Sequence, residues 1–470
     1  MMKNTNKWFA LAIILVAPLL SVIDVYIVNM ALPAIKEQYL TSNSNTELVI
    51  SSYLVGYCVF LVTGGRAGDF FGRKKMYTWG MFFFTLTSAL CGWSLTIYAL
   101  IAFRFFQGVS AAIMIPQTLT MIQLYFSEAK ERNMAFGFFG ITLGIASIMG
   151  QYLGGFFAGN AFIEESWRLI FFINVPLGII AVIFSIIFLQ ESKQNNESKF
   201  DLTGVWLLVT ALGSLIYSLT KIPEDGLSTE NTILLAIAGV FFFIFWKNQH
   251  AKTKKEKAPL LNTTLFDIKS FNFVLLVVLF FFGAHNSYLL ICAVQFQHKL
   301  GINALVSSEY FTFNGIGFLI SSMIAFKLLN KMGIKLLIAG CILMIISLVM
   351  QTLTLHDKAF ISYIPVYLLI YGLGQGALLP SILNYALKKI PSQHAGLAGG
   401  VYSTVQQFSS ALGISVIGSV FFYTLKQGMD GYFIAMSMAV VYLVLVALLL
   451  YRLSLFSDTS LSVETIKNDK

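Results

Sequence analysis

Two charged residues stand deep inside apolar sequence: Asp24 in the run from 8 to 33, and Arg104 in the run from 97 to 118. Holding a charge in such surroundings costs several kcal/mol, so each is a candidate for function. A buried carboxylate is pulled toward its protonated form by loss of water and toward its ionised form by a nearby guanidinium. Balanced between those pulls, it can take up and release a proton; the competing reading is a static pair that only packs. Gln107 and Gly108 follow Arg104 at i+3 and i+4, so all three share one helical face. Three further polar residues lie in apolar runs, Asn29, His285 and Asn286, and with Gln107 they are the candidates for lining a cavity or touching substrate. Asn29 either lines a cavity or bonds a neighbouring helix. A lone embedded His is more often a hydrogen-bonded packing residue than a proton carrier.

The elements that position these residues follow from composition. The 470 residues are 57% hydrophobic and 11% charged, with a mean hydropathy of +0.77. A soluble domain is about 25% charged, so the bilayer must act as solvent for much of this chain. Apolar windows of about 20 residues, the length that crosses a bilayer, fall at 8–33, 48–65, 76–95, 97–118, 133–158, 169–190, 202–220, 231–247, 271–293, 306–328, 334–354, 361–386, 397–424 and 431–451. The reading is an all-α membrane protein with fourteen transmembrane helices. Lys3 and Lys7 ahead of the first window resemble a signal peptide, but no small-residue cleavage site follows, so the window is read as a retained span.

With the N-terminus in the cytoplasm, 24 of the 31 Lys and Arg fall on the cytoplasmic side and 6 outside, leaving Arg104 inside a span. That asymmetry predicts both termini cytoplasmic. It also disposes of a nucleic-acid reading of the +9 net charge, because the charges sit in short loops between apolar runs. The basic loop from Lys247 to Lys257 reads as a cytoplasmic loop touching anionic lipid. Cys58, Cys91, Cys292 and Cys341 all lie in apolar runs, so no structural disulfide is expected, and no metal-ligand spacing occurs.

An internal repeat divides the chain. Asp69-Phe70-Phe71-Gly72-Arg73-Lys74 after window two matches Asn330-Lys331-Met332-Gly333-Ile334-Lys335 after window ten. Arg104-Phe105-Phe106-Gln107-Gly108 matches Gly372-Leu373-Gly374-Gln375-Gly376. The expected organisation is a six-helix half over 1–200, two inserted helices and a basic loop over 201–269, a second six-helix half over 270–454, and a cytoplasmic tail over 455–470. Repeated halves with a site between them are a common plan for secondary transporters. Window five is rich in small residues, among them Gly144, Gly150, Gly154 and Gly155, which form a groove for close helix packing. Trp167 and Arg168 stand where window six meets the outer surface, a usual place for aromatic anchors.

These motifs together resemble the major facilitator superfamily. Gly65-Arg66-Ala67-Gly68-Asp69-Phe70-Phe71-Gly72-Arg73-Lys74-Lys75 is similar to its loop 2–3 signature, whose Asp and basic residues latch the cytoplasmic ends of the halves. Phe70 replaces a usual basic residue. The run from Arg104 to Gly108 is similar to the span-four signature, whose Arg is linked to proton coupling. The run from Asp24 through Asn29 and Pro33 to Ile35, and the run from Trp167 and Arg168 through Asn174 to Pro176, resemble signatures of its fourteen-helix drug:proton antiporters. The resemblance implies export of lipophilic compounds against protons, with no cofactor beyond the proton gradient, by a monomer in a bacterial cytoplasmic membrane. One departure stands out: the span-five antiporter signature, which is associated with export, carries Pro where this chain has Gln151.

Three functions compete. The first is proton-driven efflux of amphipathic compounds, for which 43 Phe and 20 Tyr supply an apolar, aromatic cavity. The second is export or import of one native metabolite, which more embedded polar groups would favour. The third, a membrane enzyme or sensor, lacks a nucleotide loop, a metal cluster or a nucleophile–base pair. The expected partners are a small-molecule substrate, protons and the lipid bilayer.

Overall fold

The structure, a computed structural model, describes residues 7–160, 165–191, 201–255, 257, 259–355, 358–387 and 395–468. It is helical throughout, with no strand among the described residues. The first six windows become α1 (Lys7–Gln38), α2 (Asn43–Phe71), α3 (Arg73–Gly92), α4 (Ile97–Tyr125), α5 (Ala129–Gly159) and the broken pair α6 (Leu169–Phe172) and α7 (Asn174–Phe188). α8 (Leu202–Asp225) and α9 (Thr229–Lys254) form a hairpin. Then follow α10 (Lys269–Val294), α11 (Ala304–Met332), α12 (Ile334–Thr354), α13 (Ile364–Leu387), α14 (Ala395–Gly413), its continuation α15 (Ser419–Lys426) beyond a π-turn, and α16 (Gly431–Asn468). A helix satisfies every backbone hydrogen bond within itself, as hydrocarbon requires. Among the described residues, twelve helical stretches are long and apolar enough to cross a membrane. The chain is a multi-pass membrane protein.

Side-chain caps begin several of the helices. Ser42 accepts from the Asn45 amide at 3.3 Å, Thr96 from Ala99 at 3.2 Å and Asn303 from Val306 at 2.8 Å. Each removes one orphan donor from a helix start. The break between α6 and α7 falls at Ile173, where Pro176 has no N–H to give to the Phe172 carbonyl.

Two bundles are visible in the packing. α1 lies against α5, and α2 and α3 against α4, while α7 packs on α3. In the second bundle α13 packs on α11 and α12, and α10 on α14 and α16. The repeat found in the sequence has matching backbone in both. Gly72 (φ 99°) and Gly333 (φ 54°) each turn the chain at positive φ, and their amides bond to Gly68 O at 3.1 Å and Leu329 O at 2.9 Å. A Cβ on Gly108 would stand 2.0 Å from the Tyr53 carbonyl, and one on Gly376 2.3 Å from that of Phe318. So α4 presses on α2 as α13 presses on α11.

The bundles meet along α5–α11 and α2–α14. Cβ atoms on Gly155 and Gly159 would strike Ala304, Leu305 and Ser308, and one on Gly144 would strike Leu319. On Gly137 and Gly140 they would meet nothing within 4 Å. Among the described residues the α5–α11 seam is therefore closed from its middle to the Gly159 end, while toward Ala129 the α5 glycines meet no neighbour.

Candidate functional site

Asp24 and Arg104 meet. The run that carries Asp24 becomes the middle of α1, and Arg104 projects from α4, which packs across α1. Both are 0% exposed. Arg104 Nη1 donates to Asp24 Oδ2 in a short ion pair, and also to Gln107 Oε1 at 2.8 Å. Its Nε donates to the Val49 carbonyl of α2 at 3.1 Å, and its guanidinium carbon lies 4.5 Å from the centre of the Tyr53 ring. Asp24 Oδ1 accepts from Gln107 Nε2 at 2.8 Å and Asn174 Nδ2 at 3.2 Å. Asn174 is held in turn by Ser88 Oγ at 3.1 Å, and Ser88 donates to the Phe171 carbonyl at 2.9 Å. Tyr53 shares a 2.9 Å hydrogen bond with Ser21, one turn before Asp24.

Five elements of the first half thus converge on one carboxylate: α1, α2, α3, α4 and the start of α7. A buried ion pair is tolerable only where further hydrogen bonds satisfy its remaining lone pairs and N–H groups. Here both carboxylate oxygens and the guanidinium are engaged. A proton on Asp24 removes the anion yet leaves Arg104 the Val49 carbonyl, the Gln107 oxygen and the Tyr53 face. The cluster therefore has partners for the cation whether or not the carboxylate is charged.

The other residues named from sequence lie in and around this cluster and in the second half. Gln107, placed with a cavity, is 0% exposed and belongs to the ion cluster. Asn29 donates to Val25 O of its own helix at 3.2 Å, and its Oδ1 is buried without a partner. Asn286 bonds Ser410 of α14 at 2.9 Å, a packing contact. His285 lies in the second half, hydrogen-bonded to Tyr371 at 3.2 Å and Gln375 at 3.2 Å. Gly150 and Gly154 press on the Ile23 and Ile27 carbonyls of α1, while Gly144 and Gly155 face α11. Gln151 is 1% exposed, with both amide atoms unpartnered.

Around the α2–α3 loop, Gly65 packs near Pro116, and the Asp69 side chain lies outside the described residues. Gly72 makes the reversal into Arg73, the first residue of α3. A residue the sequence reading passed over sits here. Glu191, just beyond α7, accepts from the backbone amides of Lys74 at 3.0 Å and Lys75 at 3.1 Å, while Lys74 Nζ reaches the Ile186 carbonyl at 2.7 Å. A carboxylate at a helix start satisfies its orphan amides and its dipole together. At the opposite end, Arg168 Nη1 bonds the Gly92 and Ser94 carbonyls at 2.8 and 2.7 Å and stacks 4.7 Å over Trp167. Asn174 enters the sequence reading only within a signature; its place as a polar side chain five residues into an apolar run is the signal that could have found it. Tyr53 and Ser88 had none, being ordinary residues in their helices.

The sequence model of the Major Facilitator Superfamily matches residues 14–224 and 230–414. The chain belongs to this superfamily. Among curated relatives, the probable actinorhodin transporter of Streptomyces coelicolor is 30% identical over 424 residues, spanning 89% of this chain and 73% of that one. The multidrug transporter MdtP of Bacillus subtilis is 31% identical over 434 residues, 89% of this chain and 76% of the relative. The riboflavin transporter RibZ of Clostridioides difficile is 29% identical, with 88% of each covered. Among solved structures, a bacterial homologue of the human lysosomal transporter Spinster, inward-facing and unoccupied, superposes with a TM-score of 0.69 at 14% identity, covering 96% of this chain and 98% of that one. A D-xylose–proton symporter gives 0.68 at 14% identity, with 94% and 97% covered. At that identity the structures speak for the fold alone.

Proposed function

We propose that this chain is a proton-coupled exporter of lipophilic or amphipathic compounds. The observation that carries the reading is the Asp24–Arg104 cluster. It places an ionisable carboxylate at the centre of the first half, with partners for its cation in either protonation state. Relatives named for multidrug transport and for actinorhodin support the lipophilic cargo. Fourteen spans, counting α6 with α7 and α14 with α15, cross the cytoplasmic membrane of a bacterium, with both termini inside and the protein acting as a monomer. α3 and α11 complete the count: Thr and Ser dilute the first, and Glu309 and Asn314 the second, yet each packs along a neighbouring span. In that orientation the Ala129 end of the α5–α11 seam opens to the cytoplasm. Substrate enters there, and protons arriving from outside neutralise Asp24 as substrate leaves.

A second reading, one native metabolite as cargo, draws on the riboflavin transporter among the relatives and on Gln151. The deciding experiment is ethidium transport by inverted membrane vesicles energised with a proton gradient, with and without an uncoupler. Uncoupler-sensitive transport is expected. No transport of any lipophilic dye by the folded protein would leave the metabolite reading standing.

A further inference from the structure

The first-half cluster has a counterpart in the second half, built with different chemistry. The offset that matches Asp69 to Asn330 and Gly72 to Gly333 also carries Asp24 onto His285. The offset that matches Gly108 to Gly376 carries Gln107 onto Gln375. In the first half, Gln107 Nε2 donates to Asp24. In the second, Gln375 Nε2 lies 3.2 Å from His285 Nε2. So the same pair of positions makes the same contact in each bundle, between a glutamine and an ionisable group. At the place of Arg104 stands Gly372, pressed against the Asn314 carbonyl. Gln107 Oε1 is satisfied by Arg104, whereas Gln375 Oε1 has no partner.

That unpartnered oxygen fits a change of state. With Gln375 donating, His285 Nε2 is the acceptor and Nδ1 carries the hydrogen, which it donates to Tyr371 Oη at 3.2 Å. A proton arriving from solvent at Nε2 turns that nitrogen into a donor. Half a turn of the Gln375 amide then brings Oε1 to receive it and satisfies the orphaned acceptor. The Tyr26 hydroxyl, 3.4 Å from the same Nε2, has a lone pair to offer as well. Tyr26 belongs to the first half, two residues after Asp24 on α1. His285 is 2% exposed, and the side chains that bond to it or stack on it among the described residues are uncharged; an acid placed near α10 is Glu47, which lies with Leu290 beside Gly418. α13 supplies Tyr371 and Gln375, and α1 supplies Tyr26. On α10 itself Phe281 stacks on its ring, and Tyr288 stacks on Tyr371. α14 and α16, also packed on α10, bring Ser409, Ser410 and Tyr442 to that helix.

We propose that His285 is a second proton-accepting site, in the half opposite Asp24, and that the Tyr26 hydroxyl carries its state across to α1. Gln375 is the positioning residue, and the cationic imidazolium takes the part that Arg104 plays in the first half. This inference rests on the proton-coupled reading and adds a second proton per cycle.

Two measurements on the full-length protein in lipid nanodiscs test it. The first follows isotope-labelled histidine rings by NMR as pH is varied between about 5 and 8, the range where histidine charge changes. The signal absent from His285→Asn identifies the residue among the five histidines. Reversible movement of that signal is expected, with a different midpoint in Tyr26→Phe, which removes only a hydroxyl. The second counts protons released on binding ethidium in weak buffer. His285→Asn should release half as many as the intact protein, and Asp24→Asn should lose the other half. A His285 signal that stays fixed across the range overturns the second site and leaves Asp24 untouched. Release lost wholly in Asp24→Asn and unchanged in His285→Asn does the same. No release by the dye-bound intact protein overturns proton coupling itself. A Tyr26→Phe protein identical to the intact one in both measurements overturns the link between halves.

Discussion

Replacing Gly108 with Ala tests how the ion cluster is held. The new Cβ would lie 2.0 Å from the Tyr53 carbonyl oxygen and 2.9 Å from the Tyr57 amide nitrogen, where ordinary contact begins at 3.4 Å. α2 and α4 would have to part by about 1.4 Å there, and the obstruction is backbone, so no side chain can swing aside. Arg104 anchors to Val49 on α2 one turn away and stacks on Tyr53 itself, so the separation would loosen the cluster as well. Overpacking of this kind costs about 1–3 kcal/mol. Gly137→Ala is the control: its Cβ meets nothing, and losing a helix glycine should stabilise by roughly 0.5–1 kcal/mol. The assay is thermal unfolding in detergent, read by loss of the monodisperse peak. Gly108→Ala should unfold several degrees below the intact protein, and Gly137→Ala at or above it. Equal thermal stability of the two variants would refute the reasoning.

Three further outcomes are expected. Gly376→Ala should destabilise like Gly108→Ala, since its Cβ meets the Phe318 carbonyl at 2.3 Å; unfolding at the temperature of the intact protein would argue against equivalent packing in the two halves. Arg168→Lys keeps one nitrogen for the Gly92 and Ser94 carbonyls but loses the Nε–H that pairs with Glu165 and the planar group over Trp167, and should lower stability by about 1–3 kcal/mol in the same unfolding assay. Burial pushes the Asp201 carboxyl up, but hydrogen bonds from Lys252, Gln249 and the Gly204 and Leu260 amides outweigh it and hold the group below its ordinary value. Its contribution to stability is therefore complete above the unfolded value of about 3.9 and is lost as pH falls through the lower folded one. Hydrogen-exchange protection of the Gly204 and Leu260 amides, corrected for intrinsic rate, should fall only below about pH 4, and Asp201→Asn should weaken it at neutral pH.

Much of this was legible in sequence because bilayer thickness turns composition into geometry. Asp24 and Arg104 lie nine and seven residues from the outer ends of their windows, and at about 1.5 Å per residue that fixed a shared depth before any fold was known. Depth says nothing of rotation about the helix axis. Gln107 was therefore assigned to a cavity although it faces Asp24, and Tyr53 and Ser88 were not found. The repeat was visible in the α2–α3 and α11–α12 loops and in α4 and α13, where residues are shared. It was silent for Asp24 and His285, which share no chemistry and correspond only once the bundles are seen. Glu191 escaped because orientation was read from Lys and Arg alone.

The measurement that bears most directly on proton coupling through Asp24 is ethidium accumulation in energised inverted vesicles carrying Asp24→Asn. Asn keeps the size of the side chain and can still accept from Gln107 and Asn174, but it cannot cycle a proton. The variant should still exchange dye across the membrane down its gradient, yet fail to accumulate it under a proton gradient. If it accumulates dye as well as the intact protein, and loses that accumulation to an uncoupler, the coupled proton travels elsewhere and the role assigned to Asp24 is wrong.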